Sequence, residues 1–331
     1  MHIQSLNEDT FIQNLLHNFP VKEPLVGIGD DCAVIPDGQA NGWLVTTDAL
    51  VEGIHFLKDQ ISALDLGYKT ISVNVSDIAA MGGTPKYAFL SIAFPKTIEK
   101  TWISNLIGGI KEACSKWNIL LLGGDTVGSK RDIFLNLTLI GSAPLSHIKY
   151  RNQAQIGDAI CVTGPLGNSW AGFKVLQNQI PLDTSVSQLL QAHFHPEPHL
   201  AQGIWLGSQK DVHAMMDISD GLDRDLKRLL KSSRCGAIIE TSKIPQGPAL
   251  LEVCQHNQWD SLTLALNGGE DYCLLLSVSS SHLAALQQAF HQQFNTYLYE
   301  IGSITAETEK LIYQECGKDF QFKEENFDHF K

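Results

Sequence analysis

KTISVNVSDIAAMGGTP, residues 69–85, is the segment on which the fold turns. It lies in a run from Leu64 to Met81 that mixes helical spacing with the β-branched residues Ile71, Val73 and Val75, and the spacing predicts a helix. Upstream, Cys32–Ile35 and Trp43–Asp48 predict strands. Asn7 to Phe19 predicts a helix with Phe11, Ile12, Leu15 and Leu16 on one face and Asn7 as its cap. Downstream, the pattern predicts a strand at Tyr87–Phe94, a helix at Ile98–Trp117 and a short buried strand at Ile119–Leu122. Ile133–Ile140 alternates, with Leu135, Leu137 and Leu139 on one face and Asn136 and Thr138 on the other.

SAPLSHIKYRNQAQIGD (142–158) is polar and without periodicity, which places a boundary near residue 150 and predicts domains of 1–150 and 151–331. Strands at Ala159–Thr163, Ala214–Ile218, Ala237–Glu240 and Tyr272–Val278 then alternate with helices near 168–178, 197–208, 221–232 and 282–294. The last thirty residues are polar with spaced aromatics. The whole predicts a two-domain α/β (α+β) protein, in keeping with a length of 331 residues.

Hydrophobic residues make up 44% and charged residues 18%, which suits a chain that folds around its own core. Lys and Arg number 24 against 36 Asp and Glu, a net charge of −12 that disfavours nucleic acid and anionic membrane surfaces as partners. The N-terminus has no signal-peptide pattern, and no apolar run is long enough to span a bilayer. The seven cysteines (32, 114, 161, 235, 254, 273 and 316) are scattered without a CxxC pair, which predicts reduced thiols in the cytoplasm.

The usual phosphate-binding signatures are absent. There is no GxxxxGK[ST], and Gly27-x-Gly29 has Cys32 where a dinucleotide fingerprint needs its third glycine. Acidic residues instead end apolar or glycine-rich segments: Asp30–Asp31, Asp48, Asp77, Asp125, Asp217 with Asp220, and Glu270–Asp271. Carboxylates converging at a sheet rim repel one another unless cations lie between them, and Mg²⁺ takes oxygen ligands together with substrate phosphates. Any one of these Asp residues is readily explained as a turn or cap; six similar placements are not. His193-Phe194-His195-Pro196-Glu197-Pro198-His199 has zinc-like composition but reads better as a rigid loop leading into a helix. Lys227, Arg228 and Lys231 read as a solvated helix face.

GIGDDCAV (27–34), LVTTDALVEGIHF (44–56), KTISVNVSDIAAMGGTP (69–85), LLGGDT (121–126), VTGPLG (162–167), MDISDGLDRDL (216–226) and LNGGEDY (266–272) resemble, in order, the thiamine-monophosphate kinases of the aminoimidazole-ribonucleotide-synthetase-like ATP-binding superfamily. The resemblance implies an N-terminal domain that dimerises through its sheet, giving a homodimer, and a C-terminal α+β domain closing over the nucleotide. It implies transfer of the γ-phosphoryl group of ATP to thiamine monophosphate. Carried over by motif, Asp30, Asp48, Asp77, Asp125, Asp217 and Asp220 would hold several Mg²⁺ ions, with Thr46 and Thr47 as further oxygen ligands. Gly124, Asp125, Arg151 and Ser219 would contact ATP, and His55, Glu270 and Phe327 would recognise thiamine monophosphate. No general base is expected, because a phosphate monoester is already nucleophilic near neutral pH. Two positions depart from the family: Ile107 stands where an aromatic is usual, and Phe327 where Trp is frequent. Sibling enzymes remain as alternatives: a ligase making an aminoimidazole nucleotide, a selenophosphate synthetase or a hydrogenase-maturation dehydratase. The last two are disfavoured, since Cys32 lies within a strand-like run and the chain ends in Lys331. A non-catalytic protein that binds nucleotide and metal is the alternative from another class.

Overall fold

The computed structural model describes residues 8–323. Contacts divide them into one unit of residues 8–78 and 83–146 and a second of residues 79–82 and 147–323. Asn7 and Phe327 lie outside the described residues.

The first unit contains α1 (Glu8–Asn18), β1 (Ala33–Pro36), β2 (Asn41–Val51), α2 (Ala63–Ala80), β3 (Thr84–Pro95), α3 (Lys100–Lys116), β4 (Leu120–Ser129) and β5 (Phe134–Pro144). Its sheet runs β1-β2-β5-β3-β4, antiparallel except for the β3–β4 pair. The alternation in β5 does what its pattern predicts, with Leu135, Leu137 and Leu139 all fully buried. α2 forms despite its β-branched residues because it is buried almost all round and several of its small polar side chains donate to carbonyls one turn back. Thr70 Oγ1 donates to the Leu66 carbonyl at 2.7 Å, and Asn74 Nδ2 to that of Thr70 at 3.1 Å. It crosses α3 closely: a Cβ on Gly109 would fall 1.8 Å from the Leu64 carbonyl oxygen, and one on Gly67 2.2 Å from that of Leu106.

β4 corrects the sequence reading. It is longer than Ile119–Leu122, and it is exposed rather than buried, with Leu120 and Leu122 at 58% and 57% exposure. The apolar run misled because β4 is an edge strand, paired only with β3. In α1, Ile12 and Leu15 are half-buried, whereas Phe11 and Leu16 stay exposed.

The second unit contains β6 (Ala159–Val162), α4 (Asn168–Gln177), α5 (Thr184–Phe194), α6 (Leu200–Gly207), β7 (Val212–Asp217), α7 (Leu222–Ser233), β8 (Gly236–Glu240), α8 (Pro248–Asn257), α9 (Ser261–Asn267), β9 (Leu274–Val278), α10 (Leu283–Phe294), β10 (Tyr299–Thr305), β11 (Leu311–Glu315) and β12 (Lys318–Phe320). Its seven-stranded sheet is ordered β12-β11-β8-β10-β6-β9-β7. Both faces are covered: Ile160 and Val162 of β6 pack with Leu222, Leu226 and Leu229 of α7, while Ala159 and Cys161 pack with Leu286 and Phe290 of α10. A third cluster joins α4, α5 and α8 through Val175, Leu189 and Leu250.

Pattern reading missed α5, α8 and α9. Two of these carry cap signals: Asp183 accepts from the Val186 N–H at 2.7 Å, and Asp260 from those of Leu262 and Thr263. α8 begins with Pro248 in its first turn. Strands β11 and β12 lie in the tail that reads as merely polar. Six cysteines are buried, Cys316 is exposed, and all seven are free thiols. No described helix is long and apolar enough to cross a membrane.

Candidate functional site

In the first unit, β2 carries Thr46 and Asp48 on the face covered by α2, where their cross-strand neighbours are buried Leu139 and Leu137. The Thr46 hydroxyl donates to Asp77 Oδ2 on α2. Carboxylate oxygens of Asp31 and Asp77 lie within 4.8 Å of each other. Two ionised carboxylates this close repel unless a cation or proton separates them. Two carboxylates and a hydroxyl are the hard-oxygen donors that suit Mg²⁺. Asp31 is the member that motif matching passed over, and the adjacent pair Asp30–Asp31 was its signal. Asp30 itself accepts the Asp31 backbone N–H at 3.2 Å, shaping the turn that leads into β1.

Thr47 and Asp125 lie elsewhere. Thr47 points to the opposite sheet face, where Asn136 Nδ2 donates to its hydroxyl at 3.1 Å. The cross-strand row Ala49–Asn136–Ser91–Asp125 places Asp125 on that same face, exposed on the edge strand. Three strand spacings, roughly 14 Å, separate its strand from β2. Asp125 follows Gly124, whose φ of +149° and contact with the Leu90 carbonyl admit only glycine. His55 occupies the turn after β2, where its Nδ1 accepts the Val51 N–H at 3.1 Å; this leaves the ring proton on Nε2 in the neutral form. Ile107 is 57% exposed on α3.

In the second unit Asp217 ends β7, 2% exposed and paired in register with Leu274. The following loop is held by a residue outside the predicted set, Asp225. Its Oδ2 accepts the N–H groups of Ser219 at 3.0 Å and Asp220 at 2.9 Å. Burial, followed by the nearby Asp220 charge, holds the Asp225 carboxyl above the usual range, with Arg228 and Arg151 opposing. Arg228 is therefore not a solvated surface residue. It lies 2.5 Å from Asp220 and 3.1 Å from Asp225, and Arg224 lies 3.5 Å from Asp220. Lys227 pairs with buried Asp223 at 2.8 Å, whereas Lys231 fits the exposed-face reading. The Arg151 carbonyl accepts the Ser233 hydroxyl at 2.8 Å.

The loop carrying Glu270 is stitched on two sides. The N–H groups of Glu270 and Tyr272 donate to the Ser219 and Ile218 carbonyls at 2.8 and 2.9 Å. Asp271 accepts from the Gly167 and Ser169 N–H groups at the start of α4, at 2.6 and 3.3 Å. Held this way, Glu270 and Tyr272 take left-handed backbone angles, φ +65° and +51°, which cost non-glycine residues free energy and often accompany functional loops.

Burial pushes the Asp271 carboxyl up to about 7 from 3.8, with the Gly167 and Ser169 N–H groups pulling the other way. Between about pH 4 and 7 the native state then binds more protons than the unfolded chain, so this group's contribution to stability falls as pH rises through that window. Asp271→Asn should flatten the pH dependence by roughly 1 kcal/mol per pH unit, read from urea midpoints between pH 5 and 7. An unaltered slope contradicts this assignment.

The His-rich stretch is no zinc centre. Among the described residues no histidine or cysteine belongs to a cluster with metal-ligand geometry. His199 is half-buried, pushed down to about 4 by desolvation, with its Nδ1 2.6 Å from Thr163 Oγ1. His193 lies in the last turn of α5, with its Nδ1 3.2 Å from Glu270 Oε2.

Comparison with known proteins matches residues 29–143 to the AIR synthase related protein N-terminal domain and residues 155–314 to the corresponding C-terminal domain. The chain is 37% identical to the thiamine-monophosphate kinase of Buchnera aphidicola subsp. Acyrthosiphon pisum, over 92% of each protein. It is 34% identical to that of Escherichia coli K12, again over 92% of each. Among solved structures, AaThiL complexed with AMPPCP and TMP superposes with a TM-score of 0.86 at 30% identity, covering 99% of both chains.

Proposed function

The chain belongs to the thiamine-monophosphate kinase family, and from that premise we propose that it transfers the γ-phosphoryl group of ATP to thiamine monophosphate, giving thiamine diphosphate and ADP. The observation that carries this reading is the full-length likeness to a structure holding an ATP analogue and TMP.

Within the first unit, Asp31, Asp77 and the Thr46 hydroxyl offer an oxygen set for Mg²⁺; Asp30 and Asp48 are assigned to the same task by motif, as are Thr47 and Asp125 on the opposite sheet face. Within the second, Asp217 and Asp220 are assigned likewise. When bound, the ions supply charge neutralisation for the two polyanions and favour an in-line displacement. The remaining work falls to the chain. Gly124, Asp125, Arg151 and Ser219 contact ATP, with the Ser219 backbone held by Asp225. His55 and Glu270 recognise the acceptor, as does Phe327. The acceptor phosphate needs no base: with its second pKa near 6 it is already a nucleophile at pH 7.

The test is a Mg²⁺-dependent incubation with ATP and thiamine monophosphate. Thiamine diphosphate and ADP should appear one-to-one; ADP without thiamine diphosphate would point to another acceptor and a sibling enzyme.

A homodimer joined through the first unit's sheet completes the reading. The support is its open face, where Trp43, Tyr87 and Phe89 remain partly exposed, next to the exposed apolar edge of β4. Leu120→Glu, at a position already 58% exposed, should halve the mass seen by light scattering without lowering monomer stability. An unchanged mass argues against this interface. Seven free thiols suit a cytoplasmic setting.

A further inference from the structure

Glu270 sits in an environment that the motif does not account for. His193 Nδ1 lies 3.2 Å from Glu270 Oε2 and 3.1 Å from Ser169 Oγ. A carboxylate only accepts, so with a proton on Nδ1 the imidazole can donate to Glu270, while Ser169 Oγ meets the same nitrogen. The imidazole is itself held in place. Its ring centroid lies 5.7 Å from that of Phe173 and 5.4 Å from that of Phe194, and its side chain is only 11% exposed. Trp170 continues the aromatic row, 5.4 Å from Phe173. Trp170 also touches the loop: a Cβ on Gly268 would lie 2.6 Å from the Trp170 Cβ, so the glycine allows the loop to approach α4. Glu270 keeps 27% of its side chain exposed, with its backbone fixed at both ends as described above.

A carboxylate held close to an imidazole that itself packs on half-buried aromatic rings is the chemistry that recognises a flat organic cation: the charge meets the carboxylate and the rings meet its face. The acceptor in the proposed reaction carries a thiazolium. We propose that His193 is a positioning residue that aims the Glu270 carboxylate at the cationic ring system of the acceptor, and so sets acceptor specificity. This rests on the kinase reading above. Ser169 Oγ, 3.1 Å from the same Nδ1, limits rotation of the imidazole.

The experiment measures steady-state kinetics of the full chain with ATP, Mg²⁺ and thiamine monophosphate for the unsubstituted protein, His193→Ala, His193→Asn, Glu270→Gln and the His193→Ala/Glu270→Gln double variant. His193→Ala should raise KM for thiamine monophosphate about tenfold, leaving KM for ATP and kcat within about twofold. His193→Asn, whose amide N–H can occupy the Nδ1 position, should recover most of that loss. In the Glu270→Gln background, removing His193 should add less than about twofold. An unchanged acceptor KM in His193→Ala overturns the inference. So does a fall in kcat with a rise in both KM values, because that pattern means lost packing. If the unsubstituted protein forms no thiamine diphosphate, the kinase reading fails first and this inference with it. Normal turnover by the unsubstituted protein with an indifferent His193→Ala overturns this inference alone.

Discussion

Asp77→Asn is expected to lose about a thousandfold or more in kcat with ATP and thiamine monophosphate, while its thermal midpoint stays close to that of the unsubstituted chain. Asp77 lies on α2, receives the Thr46 hydroxyl, and has a carboxylate oxygen within 4.8 Å of one from Asp31. An amide cannot supply the negative charge a divalent ion needs. Losing several kcal/mol of charge stabilisation in a phosphoryl-transfer transition state corresponds to roughly three orders of magnitude in rate. The fold should tolerate the change, because the Asn carbonyl still accepts from Thr46 and the repulsion with Asp31 disappears. Retained activity with normal Mg²⁺ dependence would show that these carboxylates do not form the metal site.

Gly124→Ala is expected to destabilise the first unit by about 4 kcal/mol or more, lowering the melting midpoint by on the order of 10 °C. A Cβ there would lie 1.7 Å from the Leu90 carbonyl oxygen and 2.5 Å from its carbon, both backbone atoms of the neighbouring strand. The φ of +149° adds strain of its own. Since β3 and β4 pair in parallel through this point, relief requires breaking their register or moving the strand that carries Asp125. Gly128 in the same strand is the control. A Cβ there meets nothing within 4 Å, so Gly128→Ala should melt normally. Equal midpoints for the two variants would contradict this account of Gly124.

Elements with a plain period were legible in the sequence. The alternation of Leu135, Leu137 and Leu139 predicted β5, and the helical spacing from Leu64 to Met81 predicted α2 although its β-branched residues argued the other way. The hydrophobic run at Leu120–Leu122 predicted a strand but not its exposure, because an edge strand with an open flank has the same composition as a buried one. Helices α8 and α9 are short, and their evidence lay in Pro248 and Asp260 rather than in any long apolar stripe.

The candidate site was legible as acidic residues at segment ends. Which of them meet was not, since that depends on strand order and sheet face. Thr46 and Thr47 are adjacent in sequence yet face opposite sides of the sheet, a consequence of the period of two. Asp225 carries no sequence signal, Arg228 reads as solvated surface, and Asp271 and His193 read only as an acidic segment end and a rigid loop, because their roles are contacts with other residues' backbones and carboxylates, which no spacing encodes. Glu270 was assigned from its motif, but the residues that aim it were not.

The most direct measurement is the stereochemical course at phosphorus, using ATP with an isotopically chiral γ-phosphoryl group and thiamine monophosphate as acceptor. Transfer straight from ATP to the acceptor phosphate, with the chain supplying carboxylates and orientation but no nucleophile, predicts inversion of configuration in thiamine diphosphate. Retention would mean that a side chain carries the phosphoryl group between two displacements, and would contradict the account.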